Sequence, residues 1–185
     1  MKYPFSHIKI KTIENASLSS EEFVKKRRGE ILHLTLSFVT YKEEEKELFS
    51  FLKKALSFYG ETETNWNLEK DFLQPLKKLF SFEECEKFFP SLKKRMCLFV
   101  KVLKEKTFFA GGKFFRPDRI ILYPEKIIVV DFKSYLPTQE HFQELYKAQV
   151  EGYSRIVSKI YKKPTEGYLL FLEPLSFQKI ITVSE

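Results

Sequence analysis

Cysteine is scarce in this chain: its 185 residues include only Cys85 and Cys97. Two cysteines do not make the disulfide framework of a small secreted protein. They also cannot supply the four thiolates of a structural zinc site or an iron–sulfur cluster. We therefore expect a reduced, cytoplasmic setting and no iron–sulfur cluster.

Long apolar runs are missing as well. The longest uncharged apolar stretch, about Ile31 to Tyr41, is too short to cross a bilayer, which takes about 20 residues. The first residues, Met1 to Phe5, lack the apolar run of a signal peptide. The chain also has no Gly-x-x-x-x-Gly-Lys-Ser/Thr phosphate loop, no internal repeat and no low-complexity segment. We expect no membrane partner and no nucleotide-driven motor domain.

Aspartate is nearly absent, with three residues against 22 glutamates. Two of the three, Asp118 and Asp131, belong to the spaced motif Pro117-Asp118 … Asp131-Phe132-Lys133. A chain that otherwise uses glutamate but keeps aspartate at two motif positions suggests that the shorter carboxylate matters there.

Positive charge is in excess: 26 lysines and six arginines give a formal net charge of +7. A basic balance favours a polyanionic partner, with nucleic acid first and an anionic membrane surface second. A solvated, lysine-rich surface explains the charge as well, so the charge alone does not decide between these interpretations.

Length and composition predict one domain over 1–185, mainly helical over 1–98 and with an α/β core over 99–185. Residues 1–18 have the character of an extended lead-in. Ser19-Ser20-Glu21-Glu22 resembles a capping box that opens a helix ending near Val39. Within that helix, leucines alternate with polar residues in a strand-like pattern, and we favour the helix. Further helices are predicted over 42–59, 68–80 and 82–97.

The second part of the chain is rich in strand patterns. Strands are predicted over 99–109, 113–123, 126–134, 166–173 and 178–183. A helix is expected between the third and fourth strands, from a cap at Thr138 to about Tyr161. Ile127-Ile128-Val129-Val130 is continuously apolar, which is typical of a strand buried on both faces. This order predicts an α/β fold with a mixed β-sheet flanked by helices.

The second and third strands form a predicted hairpin whose register follows from its short loop. Pairing Tyr123 with Lys126 places Asp118 opposite Asp131, with Cα atoms roughly 4.5–5.5 Å apart. Like charges in such a pair destabilise a sheet, and burial adds to the cost. A divalent cation, Mg²⁺ or Mn²⁺, resolves the conflict because it prefers carboxylate oxygens. The alternative is ordinary ion pairing, with Arg116 or Arg119 beside Asp118.

Strand alternation puts Lys133 on the same face as Asp131. Its ammonium group can then orient a water, stabilise developing negative charge or help deprotonate a nucleophile, although a simple ion pair with Asp131 is the alternative. The following helix carries Gln149 and Tyr153 four residues apart on one stripe that faces the sheet. A core-facing helix explains Tyr153 well and Gln149 less well.

These residues together resemble the PD-(D/E)XK nucleases. Gln149-Val150-Glu151-Gly152-Tyr153 narrows the resemblance to the RecB/AddA-like branch, and Phe114 to Glu173 is similar to the C-terminal nuclease domain of AddA-type helicase–nucleases. Arg28-Gly29 followed by His33 resembles the first motif of that branch. The resemblance covers the segment 42–98 poorly. Most relatives are the tail of a large helicase polypeptide. Because this sequence has no phosphate loop of a motor domain, we expect a stand-alone nuclease subunit or an excised domain.

The resemblance implies a restriction-endonuclease-like fold and a role for each motif residue. Lys133 is expected to be the catalytic lysine, with Gln149 and Tyr153 positioning the nucleic acid strand or that lysine. The expected metal ligands are Asp118, Asp131, the Phe132 backbone carbonyl, His33 and Glu105. The basic residues expected to contact nucleic acid are Arg116, Arg119 and the helical group Lys25, Lys26, Arg27 and Arg28, for which a solvated helix face is the alternative.

Three functions are compatible with this sequence. The leading hypothesis is an Mg²⁺- or Mn²⁺-dependent deoxyribonuclease, an exonuclease on DNA ends or single strands that works with a helicase in repair or recombination. The second is a DNA-binding module of a helicase–nuclease complex that has lost turnover. The third is a small basic interaction protein with fortuitous motifs, which predicts no metal dependence.

Overall fold

A computed structural model of the protein describes residues 19–184, and the predicted lead-in over 1–18 lies outside the described residues. Six α-helices lie in this part of the chain: α1 (Ser20–Phe38), α2 (Leu48–Phe58), α3 (Gln74–Ser81), α4 (Cys85–Phe88), α5 (Leu92–Leu98) and α6 (Glu140–Tyr161). Short 3₁₀ turns at Lys42–Glu47 and Glu63–Asn65 and a π-helical turn at Glu69–Leu73 connect them. Within residues 19–184, no helix combines the length and apolar character needed to cross a membrane.

The described part of the chain also contains seven β-strands in two sheets: β1 (Lys101–Lys104), β2 (Phe108–Ala110), β3 (Lys113–Phe115), β4 (Arg119–Leu122), β5 (Ile127–Tyr135), β6 (Thr165–Glu173) and β7 (Leu175–Val183). Five of them make a mixed sheet in the order β1-β4-β5-β6-β7. Its β5–β6 pair is parallel because α6 crosses between these strands, and the other pairs are antiparallel. Strands β2 and β3 form a separate hairpin. The predicted α/β class with a mixed sheet flanked by helices is confirmed.

Helix α1 begins with the predicted capping box: the Ser19 side chain accepts from the Glu22 N–H, and the Glu22 side chain accepts from the Ser19 N–H. The ambiguous leucine-rich stretch is helical. Ile31, Leu32 and Leu36 lie on one buried stripe, whereas Leu34 is only partly buried. The helical period wins over the alternation because it puts three large apolar side chains against the sheet.

Several predicted helices are shorter or more irregular than expected. The segment 42–59 starts as a 3₁₀ turn before α2, and 68–80 contains a π-helical turn before α3. The segment 82–97 is split into α4 and α5 because the backbone is extended at Ser91, which caps the second helix. Helix α6 ends at Tyr161 as predicted, but its N-cap is Gln139 and not Thr138.

The two long strands predicted over 99–109 and 113–123 are wrong, because each is divided into two shorter strands. The first is broken between β1 and β2, where Glu105 adopts a left-handed backbone with φ of 50°. The second is broken between β3 and β4 by Pro117, which has no N–H to donate to a ladder. The Glu105 N–H donates to the Asp118 carbonyl at 3.1 Å and holds the two breaks together. The chain therefore leaves the main sheet, forms the small hairpin and returns.

The register predicted for the β4–β5 hairpin is confirmed. Leu122 is the partner of Ile127 and Arg119 is the partner of Val130, and Tyr123 N–H donates to the Lys126 carbonyl at 2.9 Å. The ladder ends at Arg119. The predicted Asp118–Asp131 pair therefore lies just outside the ladder, and Asp118 contacts β5 through its side chain.

The sheet separates the N-terminal helices from α6. One face packs against α1 to α4 in the larger core, which contains the even-numbered β5 residues Ile128, Val130 and Phe132. The opposite face of β5 starts with Ile127 and Val129, which pack with Val157 of α6. Because strand residues alternate, Asp131 and Lys133 continue this second face and point toward α6.

Gly167 on β6 allows α6 to lie close to the sheet. A Cβ atom at this position would meet the Ser154 Oγ and lie 2.7 Å from Val150 Cγ1, both on α6. Any larger side chain would therefore push the helix outward. Since α6 also carries Gln149 and Tyr153, this close contact sets the height of those two side chains above β5.

Candidate metal and nucleic-acid site

Asp118 closes the open end of the β4–β5 hairpin. Its Oδ2 atom accepts a 2.7 Å hydrogen bond from the Phe132 N–H, in place of the ladder bond that the end of β4 leaves unmade. The N–H and C=O groups of one strand residue point to the same side, so the Phe132 carbonyl is directed to the Asp118 side of β5. The Asp118 carboxylate and the Phe132 carbonyl, two of the predicted metal ligands, therefore lie on the same edge of β5.

Asp131 is the most deeply buried of the site carboxylates, with 3% of its surface exposed. Its Oδ2 atom forms an ion pair with the Lys133 Nζ at 2.6 Å and has no other polar partner within residues 19–184. Burial raises the pKa of Asp131, opposed by the Lys133 ammonium. A buried carboxylate needs a positive partner, and within residues 19–184 Lys133 supplies it for this oxygen.

The two carboxylates also affect each other. Burial, followed by the negative charge of Asp131, raises the pKa of Asp118 well above its usual range, against the hydrogen bond from the Phe132 N–H. The protein thus holds two mutually repelling acids in a place where their charged forms are costly. Such raised pKa values are common at sites that bind metal or do chemistry.

Lys133 is held by contacts from three directions. Besides Asp131, its Nζ donates to Gln149 Oε1 at 3.2 Å, and Gln149 Nε2 donates to the Tyr153 hydroxyl at 2.8 Å. The Nζ also lies 4.3 Å from the centre of the Tyr146 ring. Gln149 therefore contacts the lysine directly, and Tyr153 contacts Gln149.

Tyr146 was not predicted as a site residue. Its position three residues before Gln149, on the same helical stripe, was the available signal. The face of the Tyr146 ring attracts the Lys133 ammonium through a cation–π interaction.

His33 comes to the site from the opposite side, on α1. Its Nδ1 lies 3.7 Å from Asp118 Oδ2, and its ring meets Phe132 edge to face. Helix α1 approaches β5 closely at Gly29, where a Cβ would lie 2.7 Å from the Ser134 Oγ. Gly29 thus brings His33, one turn later, to the carboxylates.

His33 is expected to be uncharged in the metal-free protein. Burial, followed by the Lys133 ammonium, lowers the pKa of His33 to about 4. A pKa below the unfolded value of about 6.5 means that folding loses stability as the pH falls from 6.5 toward 4. In NMR spectra of the metal-free protein, the His33 ring signals should stay unchanged between pH 5.5 and 8. A midpoint near 6.5, assigned with His33→Gln, would contradict this expectation.

Glu105 and Arg116 form the outer rim of the site. The Arg116 side chain is mostly exposed, and its Nε lies 3.2 Å from Glu105 Oε2. Burial raises the pKa of Glu105, opposed by Arg116. Glu105 is thus engaged by a cation of the protein itself, and its predicted role as a metal ligand is not supported by a direct contact.

A cavity of about 690 Å³ opens onto part of this site. Its lining includes His33, Glu105, Arg116, Asp118 and Lys133. The exposed side chains of Lys25 and Lys26 on α1 also line it. Arg27 is engaged instead with Glu30 at 2.9 Å and Glu61 at 3.5 Å.

Two predicted nucleic-acid contacts are wrong, because both arginines are buried. Arg119 is 1% exposed, and its guanidinium donates to the carbonyls of Leu36, Val39 and Thr40 at the end of α1. Arg28 is 7% exposed, and its two terminal nitrogens donate bidentate hydrogen bonds to the Glu173 carboxylate oxygens at 2.7 and 3.0 Å. Both side chains hold α1 to the sheet. Asp118 forms an ion pair with neither Arg116 nor Arg119, and the basic side chain that lies beside its carboxylate is His33.

The site residues fit a divalent cation only in part. Within residues 19–184, no three side chains of His, Cys, Asp or Glu lie together as a complete ligand set, so the predicted combination of His33, Glu105 and the two aspartates is not assembled. Lys133 occupies one Asp131 oxygen and Arg116 engages Glu105. The two aspartates still fit Mg²⁺ or Mn²⁺, because such ions use one or two carboxylates and keep several waters.

Comparison with protein-family models and with curated protein sequences found no match to this chain. The resemblance to the RecB/AddA-like nucleases therefore stays a hypothesis. It depends on the motif residues and is consistent with the geometry in which they meet.

Proposed function

We propose that this protein is an Mg²⁺- or Mn²⁺-dependent deoxyribonuclease that hydrolyses phosphodiester bonds. One observation carries the proposal. Asp118 and Asp131, two of the three aspartates, meet at the open end of one hairpin. Asp131 is buried and Asp118 is largely buried, and Lys133 is the only cation within residues 19–184 that forms an ion pair with either.

Stability does not explain this pair. Buried carboxylates lose their hydration, and two of them repel each other, so an apolar pair in the same place would favour folding. The neighbouring strand residues Ile120, Val129 and Val130 show that the same sheet uses apolar side chains where it only needs packing. The pair is therefore best explained by a bound cation.

The chain's own residues divide the remaining work. Asp118 and Asp131 would hold the cation, with the Phe132 carbonyl as a third oxygen on the same edge of β5. When bound, the cation supplies Lewis-acid polarisation of the phosphate and favours attack by water. Lys133 is aligned by Gln149 and Tyr146 to stabilise negative charge on the phosphate or to hold the attacking water.

The cavity at the site suits a phosphodiester strand. Its volume is within the range of small-ligand sites, and Lys25, Lys26 and Arg116 place three cations along its lining. Such cations bind phosphates without reading the sequence, and their binding weakens as salt rises. The finer expectations, exonuclease action and work with a helicase in repair or recombination, come from the family resemblance alone.

The test is cleavage of labelled single-stranded and double-stranded DNA by the purified chain with Mg²⁺, Mn²⁺ or EDTA. We expect cleavage with either metal and none with EDTA. A Lys133→Met variant should bind DNA but cleave it roughly 100-fold more slowly, because charge stabilisation in the transition state is lost.

Each outcome distinguishes the candidate functions. DNA binding without cleavage under every metal condition would favour the DNA-binding module. Neither binding nor cleavage would favour an unrelated basic interaction protein. Cleavage that continues in EDTA would contradict the mechanism, even though it would leave a nuclease.

A further inference from the structure

The small hairpin of β2 and β3 carries an exposed aromatic pair. Phe109 and Phe114 are direct cross-strand partners, with ring centroids 5.0 Å apart. They are 65% and 77% exposed, respectively. Large apolar side chains so placed are costly in water, and a contiguous pair marks a contact surface more strongly than a single residue does.

The folding of the hairpin does not require this pair. The opposite face carries Phe108, which is buried, and Phe115, whose ring packs edge to face on Tyr153 at 6.3 Å. This inner pair anchors the hairpin to α6. The outer pair is free to contact something else.

The hairpin is connected directly to the candidate site. Glu105 precedes it and Asp118 follows it, and both residues line the site cavity. Phe114 is four residues before Asp118, so their Cα atoms are at most about 14 Å apart. At roughly 3.4 Å per stacked nucleotide, this is the length of about four nucleotides.

The charged residues around Phe109 and Phe114 indicate which kind of ligand the pair binds. The segment 106–117 contains no acidic residue, and its three cations, Lys106, Lys113 and Arg116, are all exposed. Exposed aromatic rings among cations bind single-stranded nucleic acid, because the rings stack on bases and the cations contact phosphates. A protein partner fits less well, since protein interfaces are depleted in lysine.

We infer that Phe109 and Phe114 form a stacking platform for an unpaired base of the substrate strand, within about four nucleotides of the scissile phosphate. This inference rests on the proposed function and adds a substrate class to it: a strand that is single-stranded where it crosses the hairpin. Duplex DNA would have to fray at that position before it reaches Asp118.

The test compares the double variant Phe109→Leu/Phe114→Leu with wild type in binding to a fluorescent single-stranded oligonucleotide in EDTA. Leucine keeps the apolar character and removes the ring. The affinity should fall roughly 5- to 100-fold, the range for loss of base stacking. Phe49→Leu is the matched control, because Phe49 is also exposed and has Lys53 over its ring at 4.6 Å. It should bind like wild type.

A second measurement locates the stacked base. In a series of oligonucleotides with one abasic position each, wild-type affinity should fall at one or two adjacent positions, and the double variant should be insensitive to them. Equal affinity of wild type and double variant would overturn the inference. So would a loss of self-association in the double variant with DNA affinity unchanged, since the pair would then be a protein contact.

Failure of the inference and failure of the proposed function give different results. Metal-dependent cleavage with unchanged affinity in the double variant would leave the nuclease and remove the platform. Position-specific stacking without cleavage under any metal condition would leave the platform and remove the nuclease. Absence of DNA binding by wild type would overturn both.

Discussion

Replacing Asp131 by alanine is expected to reduce metal-dependent DNA cleavage by roughly 1,000-fold or more, because the cation loses a ligand and the transition state loses its charge stabilisation. DNA affinity in EDTA should stay the same or rise, since a negative charge leaves the site. The measurement is single-turnover cleavage of a labelled oligonucleotide, with affinity measured separately by fluorescence anisotropy.

Asp71→Ala is the matched control, because Asp71 is the third aspartate of the chain and lies away from the candidate site cavity. It should cleave like wild type. Unchanged cleavage by Asp131→Ala would contradict the proposed mechanism.

The nearly isosteric variant Asp131→Asn separates a functional acid from a structural ion pair. Burial raises the pKa of Asp131, so at neutral pH its charged form opposes folding. Removing the charge should leave the melting temperature of the metal-free protein unchanged or higher. A clear drop in the melting temperature would show instead that the ion pair with Lys133 is structural.

Replacing Arg119 by methionine is expected to lower the free energy of unfolding by about 3 kcal/mol or more, because buried carbonyls at the end of α1 lose their charged donor. Three carbonyls, those of Leu36, Val39 and Thr40, share this guanidinium, which also lies 4.1 Å from the centre of the Phe89 ring. The last turn of α1 has no basic residue of its own to take over.

For a protein of this size, such a loss lowers the melting temperature by roughly 6–12 °C. Urea denaturation followed by circular dichroism gives the free energy directly. Arg155→Met, at an exposed arginine, is the control and should change the free energy by less than about 0.5 kcal/mol. If Arg119→Met were as stable as Arg155→Met, the capping role would be wrong.

Arg119 also connects stability to the candidate site. It follows Asp118 directly in sequence, and its side chain holds the end of the helix that carries His33. The motif Pro117-Asp118-Arg119 thus places one side chain in the site and the next in the core. Their side chains diverge because consecutive residues of an extended segment point to opposite faces.

Local patterns in the sequence determined the main features of the site. The short loop after Tyr123 set the β4–β5 register, and alternation put Lys133 on the face of Asp131. Helical spacing brought Gln149 and Tyr153 together, and their bond is present. These predictions hold because each depends on a short segment whose backbone period is fixed by hydrogen bonding and sterics.

Other features were decided only by the tertiary structure. The burial of Arg28 and Arg119 depends on Glu173 and on the end of α1, which are far away in sequence. The break at Glu105 depends on its bond to Asp118. A charged residue carries no local sign of which partner will neutralise it. For that reason the sequence alone determined which residues share a face, and long-range packing determined which arginines reach solvent and which hold the fold together.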